Sequence, residues 1–150
     1  MTISVESVPE SGDESMERTL TRMVQVMFPH SSFPDGPYHR TAQAILAAAE
    51  EDLRLKAQLA QGIVDLHAAS EGQFEDLDDA AALALLTGLS HGAFFQGIRA
   101  QVITSLYDDR EVWQLLGYEG ESFEQGGYLD RGFNDLDWLP DPRIDFAEEA

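Results

Sequence analysis

Cysteine is absent from this 150-residue chain. Its absence removes disulfides, thiol nucleophiles, iron–sulfur ligation and thioether-bound haem together. Bases are scarce: nine Lys and Arg stand against 28 Asp and Glu, a formal net charge of −19. A chain so charged repels nucleic-acid backbones and anionic membrane surfaces and favours a basic partner surface. No uninterrupted apolar run of about 18 residues occurs, so nothing in the sequence reads as a membrane span. The opening MTISVESVPESGDESMERTL lacks a basic n-region, a twin arginine and an apolar h-region. The expectation is a cytoplasmic protein, or a periplasmic one if a partner carries it across.

What is present is helical patterning. At 43% hydrophobic residues the chain suits one modest core. Residues 1–15 are Ser/Glu/Pro-rich and are expected to be disordered. A first helix starts near Ser15 or Met16 with Leu20, Met23, Val24 and Met27 on one face, and stops before Pro29. The proline-rich PHSSFPDGPYHR then crosses to a second helix opened by Pro37, with Tyr38, Ala42, Ile45, Leu46 and Ala49 inward. A break at Glu51 or Asp52 precedes a third helix carrying Leu55, Leu59, Ile63 and Leu66. Gly62 inside it implies either a bend or the close approach of another backbone.

Asp76 or Asp78 should cap a fourth helix, AAALALLTGL, whose apolar character on every side predicts the central, most buried element. A fifth helix, capped by Ser90 or His91, carries the stripe Phe94, Phe95, Ile98, Val102 and Leu106, and Asp109 caps a sixth from Arg110 to Leu116. Convincing period-two alternation is missing throughout. The expected fold is all-α: a small bundle of about five to six helices over 16–116. It carries a disordered N-terminus and an extended aromatic, glycine-rich tail over 117–150.

Reactive constellations are hard to find. His30, His39, His67 and His91 are too scattered for a local zinc pattern, and no di-iron spacing occurs. An EF-hand loop beginning at Asp76 would place Ala81 and Thr87 where glycine and glutamate are needed. There is no nucleophile elbow, phosphate loop or dinucleotide fingerprint. No catalytic, metal or cofactor-binding residue is therefore assigned. A polar pocket holding His67 or His91 beside a carboxylate would point instead to an enzyme or ligand-binding domain.

The aromatics suit association, because Tyr and Trp join a large apolar body to a polar handle. The residues expected to bind a partner are Phe94, Phe95, Arg99, Tyr107, Trp113, Tyr118, Tyr128, Phe133 and Trp138. Three stretches carry a family resemblance: MFPHSSFPDGPYHR, HGAFFQGIRAQVITSLY and VWQLLGYEG. Together they resemble the gluconate 2-dehydrogenase subunit 3 family, the small subunits of flavin-dependent dehydrogenases of the glucose–methanol–choline type, over roughly residues 23–140. The resemblance implies a non-catalytic accessory subunit that binds and stabilises an alcohol- or sugar-oxidising flavoprotein, with FAD held by that partner. The chain departs from the family in lacking a twin-arginine signal and in the short Tyr107-Asp108-Asp109 turn before the tryptophan. The acidic composition leaves a second expectation open, a free-standing regulator that binds a basic protein surface.

Overall fold

The computed structural model describes residues 12–127 and residue 129, and these form an all-α protein. Six α-helices run in order: α1 (Gly12–Met27), α2 (Asp35–Glu51), α3 (Leu53–Ala69), α4 (Asp79–Leu89), α5 (Ala93–Tyr107) and α6 (Arg110–Leu116). Two single 3-10 turns, Phe74–Asp76 and Phe123–Gln125, complete the described elements. The chain divides after Tyr118 into two units. In the second, Gly126 and Gly127 have positive φ and Phe123 is exposed.

Local chemistry explains the helix boundaries. The Asp52 carboxylate accepts from the backbone N–H groups of Arg54 and Leu55, starting α3 one residue after α2 ends. Asp78 does the same for α4 through Ala81, and Asp109 for α6 through Glu111 and Val112. At the end of α6, Gly117 adopts the left-handed conformation that lets its N–H fold back onto the Gln114 carbonyl. Three expected starts shift. Helix α1 begins at Gly12 rather than near Ser15, so 12–15 belong to the bundle. Helix α2 begins at Asp35, which puts Pro37 at its third position, where an N–H has no helical partner anyway. Neither Ser90 nor His91 caps α5: the Ser90 hydroxyl turns back to the Thr87 carbonyl and closes α4, leaving Gly92 as the α5 cap.

The core follows the predicted faces. Leu20, Met23 and Val24 of α1, Ala42, Ile45 and Ala49 of α2, and Leu55, Leu59, Ile63 and Leu66 of α3 are buried in one cluster. Ile98, Val102 and Leu106 of α5 and Val112 of α6 join it, with Phe94, Phe95, Leu46 and Met27 half-buried against it. Helix α2 lies among α1, α3 and α5, while α4 packs chiefly on α1. Phe74, in the turn after α3, is wholly buried beside α1. No period marks so short a turn, and sequence reading missed it.

Helix α4 is the clearest correction. The most apolar of the described helices is not the most buried one: only Ala82 and Leu86 are fully buried, Leu85 and Leu89 are half-buried, and Leu83 is 52% exposed. The reason is neighbours. With α1 as its main contact, α4 can cover a single side, and Arg22 of α1 holds it there by donating to the Leu77 carbonyl at 2.7 Å and pairing with Asp79 at 2.9 Å.

Gly62 resolves differently from either expectation. A Cβ there would stand 2.1 Å from the Phe94 ring, so it is a side chain, not a backbone, that presses on the glycine. Replacing a mid-helix glycine by alanine ordinarily adds about 1 kcal/mol of stability. Here Gly62→Ala should lower the urea midpoint, and Phe94→Ala in the same chain should turn the Gly62→Ala step stabilising. A second outcome follows from the net charge. Raising sodium chloride from about 0.1 to about 1 M shortens the screening length from about 10 to about 3 Å, and should raise the melting temperature by weakening self-repulsion.

Candidate docking surface

The linker between α1 and α2 is an aromatic corner held by hydrogen bonds. The Tyr38 hydroxyl donates to the Phe28 carbonyl at 3.0 Å and receives the His30 backbone N–H at 3.2 Å. Burial raises the Tyr38 phenol above its ordinary value of 10, and the charges of Tyr107 and Asp35 act the same way against the His30 N–H bond. The His30 ring stacks on Phe33 with centroids 4.2 Å apart, and its Nε2 lies 2.8 Å from the Tyr107 hydroxyl. Tyr107 also meets Phe28 edge to face.

Helix α6 is tied to the same corner. Its Trp113 indole donates to the Tyr107 carbonyl at 2.6 Å and meets Tyr118 edge to face. From α2, Arg40 forms a fork to both oxygens of Asp109, at 2.6 and 3.0 Å, and reaches Glu111 at 2.6 Å. The guanidinium holds the Asp109 carboxyl below its ordinary range, and the two backbone bonds at the α6 cap add to this against partial burial. The stretches that carry the family resemblance therefore meet in space around Tyr107.

Among the described residues a histidine, a carboxylate and a hydroxyl come together most closely at Thr19, His67 and Glu75, far apart in sequence; His39 makes a looser set with Thr21 Oγ1 at 3.4 Å and Glu17 at 3.9 Å. The Thr19 hydroxyl donates to Glu75 Oε1, and His67 Nε2 lies 3.1 Å from that oxygen and 3.2 Å from Thr19 Oγ1. Thr19 is fully buried, so its hydroxyl is closed to solvent. The cluster joins α1, the end of α3 and the Phe74 turn. Among the described residues no three His, Asp or Glu side chains stand together as metal ligands.

The exposed apolar surface is more extensive. Besides Leu83, it includes Val64, Ile103, Leu115 and Leu116. Leu89, at the end of α4, lines a groove of about 500 Å³ between α3 and α5, with Ala57, Gly62, Ala93 and Phe94 as its other apolar walls. A second groove of about 420 Å³ lies among α1, α2 and α3, with the Glu50–Lys56 ion pair at its lip. Neither groove is lined by Thr19, His67 or Glu75. No single helix among the described residues is long and apolar enough to cross a membrane.

The expected partner-binding residues divide accordingly. Phe94 lines the α3–α5 groove, Phe95 is half-buried beside it in sequence, and Arg99 is exposed with no ion pair among the described residues. Tyr107 and Trp113 use their polar groups within the chain, and Tyr118 is 50% exposed. Tyr128, Phe133 and Trp138 lie outside the described residues. Sequence reading singled out Gly62 but passed over Ala57, Ala93 and Leu89, which line the groove with it. Their signal, small residues on an outward helix face, is one that ordinary exposed helices also show. No protein-family profile, curated protein or solved structure matches the chain.

Burial alone would raise the Glu75 carboxyl, but bonds from Thr19, its own backbone N–H and His67, with the charge of His67, outweigh it and hold the group below its ordinary 4.5. A depressed carboxyl contributes stability above its unfolded pKa and loses it as pH falls through the folded one. The melting temperature of the wild-type chain should therefore fall more than that of Glu75→Gln as pH is lowered below about 4.5, as followed by circular dichroism.

Proposed function

We propose that this chain is a non-catalytic accessory subunit that binds and stabilises a flavin-dependent dehydrogenase of the glucose–methanol–choline type, with FAD and the reacting alcohol or sugar held by the larger partner. The observation that carries the partner role is α4. A helix of eleven residues that is apolar on nearly every side buries Ala82 and Leu86 and leaves Leu83 open. Exposing such a face in water is unfavourable, at roughly 25 cal/mol for each Å² of apolar surface, and covering it is what association supplies.

The kind of partner rests on the resemblance around MFPHSSFPDGPYHR, the α5 stretch and VWQLLGYEG. These segments build the Tyr107 corner and the α6 clip, which give the subunit a rigid end. A rigid scaffold bearing exposed apolar side chains loses little conformational entropy on binding. Phe94, Phe95, Arg99, Tyr118, Tyr128, Phe133 and Trp138 remain the proposed contacts, with Leu83 added to them. Tyr107 and Trp113 act by holding that scaffold.

Co-expression with a flavoprotein encoded by a neighbouring gene should raise the soluble yield of both proteins, while the isolated chain shows no flavin absorbance. Leu83→Glu should reduce recovery of the complex at least several-fold, as loss of an interface anchor does, and leave the helical circular dichroism of the isolated chain unchanged. An unaltered yield on co-expression, or turnover of a substrate by the isolated chain, would sink the reading. Capture governed by charge, abolished by salt and indifferent to Leu83→Glu would favour the regulator of a basic surface instead.

A further inference from the structure

The α3–α5 groove is lined by apolar and polar residues in different places. Its apolar lining is Leu89, Phe94 with its ring over Gly62, and the exposed Ala57 and Ala93, and it is open to solvent. Its rim on α3 is a single outward row, Arg54, Gln58, Gln61 and Asp65, at the four-three-four spacing of one helix face. The row ends in opposite charges. The Arg54 guanidinium has no ion pair among the described residues, and Asp65 accepts only the neutral Gln61 amide, at 2.8 Å. From Arg54 to Asp65 the helix rises about 16 Å, or three turns.

We infer that this groove receives one amphipathic helix of a partner protein, lying parallel to α3 with an acidic first turn at Arg54 and a basic last turn at Asp65. The exposed Ala57 and Ala93 let a helix backbone approach closely, and Phe94, whose ring already covers Gly62, and Leu89 offer the apolar body against which leucines at helical spacing would rest. The charge order matches what helices carry of their own accord, acids near the N-terminus and bases near the C-terminus, because the macrodipole favours both. A groove open on one side suits an element of a larger protein, since a small molecule needs most of its surface enclosed. The inference deepens the accessory-subunit reading and rests on its premise that a larger protein covers this face.

The probe is a fluorescent, hydrocarbon-stapled peptide of about four turns, with leucines at i, i+4 and i+7, glutamates in the first turn and lysines in the last, titrated into the full chain at low ionic strength. Saturable one-to-one binding is expected by anisotropy, weakened about tenfold when the peptide's terminal charges are exchanged, the sum of two exposed ion pairs turned repulsive. Arg54→Glu with Asp65→Lys should invert that preference. Both changes suit the dipole of α3, so the double variant should fold, as circular dichroism will check. Ala57→Glu, on an exposed helical position, should abolish binding.

Lack of saturable binding, or binding blind to the charge exchange, overturns the proposal. So would a chain dimer on sedimentation, or adsorption to zwitterionic vesicles, that Ala57→Glu removes, since the occupant would then be a second copy or a membrane. If co-expression with the flavoprotein succeeds while the peptide fails, the groove assignment alone is wrong. If the peptide binds as described but no flavoprotein is stabilised, the identity of the partner is what falls.

Discussion

Repulsion among 28 carboxylates on 150 residues is the constraint around which this chain is arranged. The fold places several where negative charge helps: Asp52, Asp78 and Asp109 each satisfy backbone N–H groups at a helix start. Three of its nine cations join elements that the chain brings together. Arg22 ties α1 to the start of α4, Arg40 ties α2 to α6, and Lys56 ties α3 back to Glu50 at the end of α2. Such pairs are individually weak in water, but here they are the attractive contacts among many repulsive ones, and each fixes where a helix lies.

Tyr107 is the other organising point. Its hydroxyl, ring and carbonyl are engaged by His30, Phe28 and Trp113 respectively, so the linker after α1, α5 and α6 are fixed with respect to one residue. A residue so committed cannot also be the free anchor of an interface. The aromatic set expected to bind a partner thus contains two kinds of residue. Phe94 and Tyr118 face open space in part, whereas Tyr107 and Trp113 hold the scaffold from which such residues project.

A chemical site and a docking site make different demands on the same helices. The Thr19–His67–Glu75 cluster has the group types of a hydrolase, but a hydroxyl closed to solvent works as a tie between α1 and α3. The apolar side of α4 and the groove at its end have the reverse character, with no reactive group and much uncovered carbon. Surfaces of that kind are the ones association covers.

The helices were legible in the sequence because their causes are local. Apolar spacing, an Asp before α3, α4 and α6, and a Pro after α1 act within a few residues of where they stand, and the buried faces of α1, α2, α3 and α5 follow from the same spacing. Other features depended on which element lay beside which. The sequence of α4 predicts burial, but α4 has one main neighbour and so remains half open. Gly62 implies a close approach, and only packing made the visitor the Phe94 ring. Thr19 and Glu75 are 56 positions apart and meet because α1 passes the turn after α3. By itself, then, the sequence determined the elements and their apolar faces, while tertiary structure decided which of those faces are covered and where the α3–α5 groove opens. The physical reason is that helix formation draws on neighbours within a turn or two, whereas coverage depends on partners the chain delivers from far away.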